Sequence, residues 1–241
     1  MPDFDRPVRG VLFDMDDTLF DHNFATITAL ERLCVEEPAF TCWPVAELRT
    51  RYSALLEELH VDVLSGRRTI PEARYERFRR LLSDATNAPV AGERPTALSA
   101  FYREAYEAAW RAVPGAIALL TALRERGIAV GIVTNNIADE QRQKMRRCGM
   151  ESLVGALITS EEIGVQKPEP AIFQAALDAM DRPASECVMV GDAWATDIVG
   201  ARNAGLRPIW FNWRGLESPD SAVPEFRTFE PLGDVIRLIG H

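Results

Sequence analysis

The chain has 241 residues, of which 47% are hydrophobic and 26% charged; this composition is typical of a folded globular protein and excludes a disordered one. Its net charge of −9 at pH 7 argues against binding to nucleic acid polymers, because Lys and Arg contacts to phosphate supply most of that affinity. No apolar run approaches the ~18 residues that a membrane-spanning helix needs, so we expect no membrane partner either.

The first predicted element is a short buried strand over residues 8–14, which leads directly into a cluster of acids in VLFDMDDTLFD, residues 11–21. From residue 22 to about 110 the pattern is helical only, because apolar residues recur at intervals of three and four. Four helices are predicted there, over residues 24–37, 44–64, 70–82 and 96–110. We therefore predict an all-helical domain over residues 21–110, inserted after the first strand.

Strands and helices alternate from residue 114 onward. The predicted helices cover residues 114–127, 138–149, 169–180 and 195–205. Buried strands are predicted within 128–136, 155–164, 186–192 and 207–213. This alternation is typical of a parallel sheet with helices on both faces. The predicted fold is therefore α/β, a doubly wound parallel sheet formed by residues 1–20 and 111–241, with the helical domain inserted.

Cysteine and histidine usage limits the chemistry further. The four cysteines are scattered and form no CxxC pair, which favours reduced thiols over a disulfide framework or a zinc site. Only three histidines occur, so a metal site built from several histidines is excluded. The polar, acidic N-terminus does not resemble a signal peptide, and we expect a cytoplasmic protein.

Polar side chains follow four of the predicted core segments. Asp14, Asp16 and Asp17 follow the first strand, Thr134 ends the second, Lys167 lies in the loop after the third, and Asp192 ends the fourth. Ligands bind at the carboxyl ends of the strands in such sheets, so these groups should converge. Close carboxylates repel one another unless a cation lies between them. The sequence therefore predicts a site for a hard divalent cation with oxygen ligands, most naturally Mg²⁺.

Four motifs in this order resemble the haloacid dehalogenase superfamily, specifically its capped phosphatases. They are DxDxT at Asp14–Thr18, Thr134 at a strand end, KPxPxIF at Lys167–Phe173, and GDxxxxD at Gly191–Asp197. The helical insert resembles the C1 cap of that family. Within that family, residues 190–213 and the overall length resemble the pyrimidine 5′-nucleotidase-like and N-acylneuraminate-9-phosphatase-like members.

The resemblance implies roles for the two ends of DxD. Asp14 would attack phosphorus and form an aspartyl-phosphate. Asp16 would be the general acid–base, which protonates the leaving alcohol and then activates water. An aspartate at that position favours phosphate ester chemistry over haloacid or phosphonate chemistry. The side chains of Asp14 and Asp192, with the backbone carbonyl of Asp16, would hold Mg²⁺.

The resemblance also implies a supporting set. Thr134 and Lys167 would bind phosphate oxygens and offset charge in the transition state. Asn135 would either contact phosphate or shape the turn. Asp197 would orient Lys167 or a metal-bound water. Thr18 would order the catalytic loop.

The function we expect is a magnesium-dependent phosphatase acting on a small phosphorylated metabolite, with a nucleoside 5′-monophosphate preferred. The enzymatic alternatives are a mutase of the β-phosphoglucomutase type and a sialic acid 9-phosphate or phosphoglycolate phosphatase. A receiver-type signalling domain also joins acids, Thr and Lys on a parallel sheet, but it lacks a large insert after the first strand. A binding protein with a relict site is disfavoured, since no motif residue is lost.

Several residues have simpler structural interpretations. Asp17 is expected to be a helix N-cap or a solvated turn residue. Phe40 and Trp43 are expected to pack in the core of the helical domain. The basic runs 67–68, 79–80 and 144–147 are expected to be solvated helix faces.

Overall fold

The computed structural model describes residues 7–240, and the chain divides into two compact units. The first unit is formed by Met1–Asp21 and Arg111–His241, and the second by His22–Trp110. Within residues 7–240, no helix is both long and apolar enough to cross a membrane.

The first unit is built on a six-stranded parallel sheet. Its strands are β1 (Gly10–Phe13), β2 (Ala129–Thr134), β3 (Ala156–Thr159), β4 (Cys187–Gly191), β5 (Arg207–Phe211) and β6 (Glu225–Phe226). They lie in the order β3-β2-β1-β4-β5-β6, and every neighbouring pair is parallel. All residues of β1 and β4 are buried, as expected for central strands covered on both faces. The predicted fold class is confirmed.

The second unit contains four helices: α1 (His22–Glu36), α2 (Val45–Leu64), α3 (Ile70–Thr86) and α4 (Arg94–Ala108). Their apolar stripes meet in an aromatic cluster, in which the rings of Tyr52 and Tyr102 lie 4.7 Å apart. Phe40 is buried as predicted, in a 3₁₀ turn between α1 and α2. Trp43 is only half-buried, and the Arg51 guanidinium lies 4.5 Å from its ring centroid.

The helices of the first unit are α5 (Ala116–Glu125), α6 (Ala138–Arg147), α7 (Ser160–Ile163), α8 (Pro170–Met180), α9 (Val199–Asn203) and α10 (Leu232–Gly240). The predicted helix over residues 195–205 is in fact a π-helical turn, Trp194–Ile198, followed by α9. The helix α7 was not predicted, because it lies in a stretch assigned to strand and loop. Two further elements were not predicted. These are the edge strand β6 and the C-terminal helix α10, which follow a region with little periodic signal.

The sheet has its switch point at β1. Phe13 pairs with Ile132 of β2 on one side and with Val190 of β4 on the other. The chain runs outward from β1 through β2 to β3 and then returns to β4 on the opposite side of β1, so the strand order reverses there. The Asp14 N–H donates to the Val190 carbonyl oxygen at 2.9 Å, which extends this order beyond the strand. Ligands of doubly wound sheets bind at such points. The residues after β1, β2 and β4 are thereby brought to one place.

The chain leaves and rejoins the first unit through a short antiparallel pair. The Val113 N–H donates to Leu19 O at 2.9 Å, and the Asp21 N–H donates to Arg111 O at 3.1 Å. The Arg111 guanidinium also lies 2.7 Å from the Asp21 carboxylate. The two crossings into the helical insert are therefore fastened side by side within the first unit.

Candidate active site

The centre of the site is a buried ion-pair network around Lys167. Its Nζ lies 2.6 Å from an Asp14 carboxylate oxygen and 2.7 Å from Asp197 Oδ1. The three side chains are 10% exposed or less. Burial lowers the pKa of Lys167, but the two carboxylates outweigh burial and hold that pKa well above its usual value. Lys167 is therefore a permanent cation beside Asp14.

The position of Lys167 is fixed by Asn135, which follows β2. The Asn135 Nδ2 donates to Lys167 O at 2.9 Å, and the Lys167 N–H donates to Asn135 Oδ1 at 2.6 Å. These contacts match the turn-shaping interpretation of Asn135. Behind them, an added Cβ at Gly200 would lie 2.7 Å from the Phe173 ring and 3.0 Å from Pro168 Cα. The segment after Lys167 therefore packs directly on the backbone of α9.

Asp197 is fully buried and is held on both oxygens. Its Oδ2 accepts the Ala193 N–H at 3.0 Å, while Oδ1 pairs with Lys167. A Cβ added at Gly191 would lie 2.3 Å from Asp197 Oδ2, closer than real Cβ contacts allow. Glycine in GDxxxxD is thus required to admit the second aspartate. In this geometry one Asp197 oxygen contacts Lys167 and the other is held by the backbone.

Asp192 has partners that sequence reasoning missed. One of its oxygens, Oδ2, accepts from Arg214 Nη2 at 2.6 Å and from Trp213 Nε1 at 3.2 Å. Its backbone carbonyl accepts from Trp210 Nε1 at 2.9 Å. All three donors belong to β5 or the loop after it. The available signal was that this loop, like the other loops of the site, follows a strand of the parallel sheet.

Asp14, Asp192 and Asp197 form a cluster of three buried carboxylates, with one oxygen of each lying within 4.8 Å of the others. Burial, followed by the charges of Asp197 and Asp17, raises the pKa of Asp192 to about 7. Burial also raises the pKa of Asp14 well above 3.8, although Lys167 opposes this. Excess negative charge on hard oxygen donors fits a divalent cation. The donor set therefore suits Mg²⁺.

The Asp16 carboxylate does not join this cluster and instead contacts side chains of α6 and of the loop before it. Lys144 Nζ lies 2.6 Å from Asp16 Oδ1, and Gln141 Nε2 donates to Oδ2 at 2.7 Å. Asn136 Nδ2 donates to the same Oδ2 at 3.1 Å. Because both side-chain oxygens of Asp16 point to these donors, the backbone carbonyl is the group of Asp16 that we expect to bind a metal.

The expectation that residues 144–147 form a solvated face is wrong for its first half. Lys144 is fully buried and Met145 is 7% exposed, whereas Arg146 and Arg147 are exposed. The buried residues of α6 are Ala138, Gln141, Lys144 and Met145. Lys144 is thus in phase with the inward face of the helix, and this phase was readable in the sequence. The arginines of runs 67–68 and 79–80 pair with neighbouring acids, Asp62 and Glu76.

The remaining predicted residues lie on β2 or in the loop after β1. Thr134 ends β2 and is 2% exposed. Thr18 is fully buried, and its hydroxyl has no hydrogen-bond partner within the described part of the chain. The loop is instead ordered through its backbone, because Met15 O accepts from the N–H groups of residues 19 and 20. Asp17 is a half-buried turn residue with a left-handed φ of 63°.

Comparison with known proteins supports a family assignment. Residues 8–205 match the profile of the haloacid dehalogenase-like hydrolases. The chain is 32% identical to pyrimidine 5′-nucleotidase YjjG of Escherichia coli, covering 95% of this chain and 96% of that protein. It is 33% identical to ribulose-1,5-bisphosphate 5-phosphatase of Halopiger xanaduensis, covering 95% and 98%. A crystal structure of the HAD hydrolase YfnB from Bacillus subtilis, bound to magnesium, aligns with TM-score 0.75 at 26% identity, covering 96% and 100%.

Proposed function

This chain belongs to the haloacid dehalogenase-like hydrolases and is a phosphoric monoester hydrolase; we propose on that premise that it cleaves a small phosphomonoester through an aspartyl-phosphate on Asp14, with Mg²⁺ as cofactor. The observation that carries this proposal is the ion pair between Asp14 Oδ1 and Lys167 Nζ, which lie 2.6 Å apart. Asp14 also lies two residues before Asp16 in the chain. A buried carboxylate with a fixed cation beside it suits attack on an anionic phosphoryl group.

In the first step an Asp14 oxygen attacks phosphorus while the bond from phosphorus to the ester oxygen breaks. Lys167 and Thr134 bind non-bridging phosphate oxygens and stabilise their developing charge. The protonated Asp16 gives its proton to the departing alkoxide, which leaves as an alcohol. Asp197 and Asn135 keep Lys167 in place from two sides.

In the second step water attacks the aspartyl-phosphate. Asp16, now a carboxylate, accepts the proton of the attacking water. The bond between Asp14 and phosphorus breaks, inorganic phosphate leaves, and Asp14 is restored. The two steps use one acid–base group in both directions, so Asp16 ends each cycle protonated as it began.

The metal would be held by the side chains of Asp14 and Asp192 and by the carbonyl of Asp16. When bound, Mg²⁺ supplies positive charge that offsets the phosphate and the surrounding carboxylates. Arg214 and Trp213 keep Asp192 in a single orientation by contacting one of its two oxygens.

For the substrate we propose a nucleoside 5′-monophosphate, with pyrimidine nucleotides ahead of purine ones. The support is the similarity to a pyrimidine 5′-nucleotidase along almost the whole chain. Sugar phosphates are the alternative, because the similar proteins also include phosphatases named for ribulose-1,5-bisphosphate and glyceraldehyde 3-phosphate. We propose that residues 21–110 act as the cap domain that selects the leaving group.

The test is release of inorganic phosphate from nucleoside monophosphates, sugar phosphates, phosphoglycolate and sialic acid 9-phosphate, each with Mg²⁺ and with chelator. Asp14→Asn is expected to abolish release, whereas Asp178→Asn, an equal charge change on the exposed face of α8, is expected to leave it intact. Acid-quenched wild-type protein should carry phosphate on Asp14 by mass spectrometry. Release by Asp14→Asn at the wild-type rate would refute the mechanism, and isomerised sugar phosphate without release would identify a mutase.

A further inference from the structure

We propose that Lys144 and Gln141 are positioning residues that hold the Asp16 carboxylate in the orientation from which it transfers protons. The inference rests on the proposed function, in which Asp16 is the general acid–base. Neither residue belongs to the motifs of the site, and both lie on the buried face of α6. Each donates a hydrogen bond from a buried side chain to a different oxygen of the Asp16 carboxylate.

Lys144 is the stronger of the two observations. A fully buried lysine is uncommon and requires compensating partners. Lys144 has Asp16 at 2.6 Å and Glu140 at 3.1 Å, and its Nζ lies 4.6 Å from the centroid of the Phe20 ring. The two carboxylates, both within 3.1 Å of Nζ, compensate for the burial of the ammonium group. The charged end of a long side chain is thereby anchored beside the acid–base group.

Gln141 completes the hold on the second oxygen. It is fully buried, and its Nε2 donates to Asp16 Oδ2 at 2.7 Å. Asn136 reinforces the same oxygen at 3.1 Å, and its own Oδ1 accepts the Ile137 N–H at the start of α6. Donors on both oxygens fix the rotation of the carboxylate as well as its place. The Asp16 side chain nevertheless remains 24% exposed, so one side stays open to a substrate.

Phosphate binding and the orientation of Asp16 both depend on the segment from the end of β2 to α6. Thr134, the proposed phosphate ligand, ends β2, and α6 begins four residues later. One continuous segment therefore supplies both a phosphate ligand and the donors that orient Asp16. Proton transfer depends steeply on geometry, and a misplacement of 1 Å lowers rates by about 100-fold. Loss of Lys144 or Gln141 should act on proton delivery and leave phosphate binding unchanged.

The test compares two phosphate esters that differ in how much the leaving group needs a proton. An alkyl phosphate, such as the best substrate in the panel, expels a strongly basic alkoxide, whereas p-nitrophenyl phosphate expels a stable phenolate. Because kcat/KM covers only the steps up to the first irreversible one, it reports formation of the aspartyl-phosphate. For Lys144→Met we expect kcat/KM to fall about 100-fold on the alkyl ester and less than about fivefold on p-nitrophenyl phosphate.

Gln141→Leu is the second variant, since it removes a donor without stranding a buried charge. We expect the same selective loss, smaller in size, with KM for the alkyl ester unchanged. Arg146→Met is the matched control, because it removes an exposed cation from the same helix. Its kcat/KM should equal the wild-type value on both esters. Thermal denaturation of every variant identifies those that are folded. Equal losses on both esters in a folded variant, or no loss on the alkyl ester, would overturn the proposal.

A double-mutant cycle with Asp16→Asn separates this inference from the proposed function. If Lys144 and Gln141 act through Asp16, their substitutions cost nothing further on the alkyl ester once Asp16 is replaced. Additive losses in the double variants would overturn the positioning role while leaving the function intact. If Asp16→Asn hydrolysed the alkyl ester at the wild-type rate, the proposed mechanism itself would be contradicted.

Discussion

Replacing Asp192 with asparagine is expected to stabilise the metal-free protein and to remove its response to magnesium. The side chain is 8% exposed, and burial, Asp197 and Asp17 raise its pKa from the ordinary 3.8 to about 7. In the unfolded chain the same carboxyl titrates near its ordinary value. The ionised carboxylate therefore opposes folding at neutral pH, unless a cation compensates for it.

The size of the effect follows from the pKa difference. One pKa unit corresponds to about 1.4 kcal/mol, so the ionised carboxylate lowers the free energy of unfolding by about 4 kcal/mol above pH 7. Asparagine weakens the charge-assisted hydrogen bonds from Arg214 and Trp213, which offsets about 2 kcal/mol. The net gain is about 2 kcal/mol, which raises Tm by about 4–8 °C in a protein of this size.

The gain has a definite pH dependence. The destabilisation is fully present above pH 7, where the carboxyl is ionised in both states. As pH falls below 7 the folded protein takes up the proton first, and the destabilisation shrinks by about 1.4 kcal/mol per pH unit until it vanishes near the ordinary value. The advantage of Asp192→Asn should therefore nearly disappear by about pH 5.5.

Differential scanning calorimetry at about pH 8 and pH 5.5, with chelator or with Mg²⁺, measures both effects. Wild-type protein should gain stability from Mg²⁺ at the higher pH, and Asp192→Asn should not. Asp178→Asn, on the exposed face of α8, serves as the control for a lost surface charge. The reasoning is refuted if Asp192→Asn has a lower Tm than wild type in chelator at pH 8, or if its gain is the same at both pH values.

Three further substitutions test the geometry. Gly191→Ala places a Cβ 2.3 Å from an Asp197 oxygen, so we expect the free energy of unfolding in urea to fall by about 1–3 kcal/mol and the phosphatase rate to fall as well. Gly233→Ala is the neutral control, because nothing lies within 4 Å of a Cβ added there. Equal stability and rate of the two variants would contradict the close approach at Gly191. Asn135→Ala removes both hydrogen bonds to the Lys167 backbone, which should lower kcat about tenfold and stability by about 1–2 kcal/mol; unchanged kinetics would exclude it as a support. Thr134→Val keeps the shape of a side chain that is 2% exposed, so KM should rise while Tm stays within about 2 °C of wild type; an unaltered KM would remove its hydroxyl from phosphate binding.

The strands β1 to β5 were predictable because each is a run of apolar residues between helices, and the long helices because their apolar residues recur with a helical period. The five strands β1 to β5 and the four helices of the insert all follow such patterns. The edge strand β6 contains only two residues, Glu225 and Phe226, too few to show a period. The contacts of Trp213 and Arg214 with Asp192 were not predictable either, since they depend on how a loop of no regular structure folds back over its strand.

Lys144 shows a different limit of sequence reasoning. The prediction of a solvated helix face relied on the charged residues Lys144, Arg146 and Arg147. It ignored their positions around the helix. The phase was the better guide, because Ala138, Gln141 and Met145 lie on the same inward face. What remained hidden was the partner. Asp16 is 128 residues away in the chain, and only the assembled sheet brings the two together.

The fastening of Leu19 to Val113 and of Asp21 to Arg111 bears on how such an enzyme diversifies. Because the two crossings already form an antiparallel pair, a short turn could close the gap in place of residues 22–110. Helical inserts of other lengths could be grafted at the same two points without disturbing the register of the sheet. On the proposed division of roles, changes in leaving-group preference and changes in phosphoryl chemistry can therefore accumulate in separate stretches of the gene.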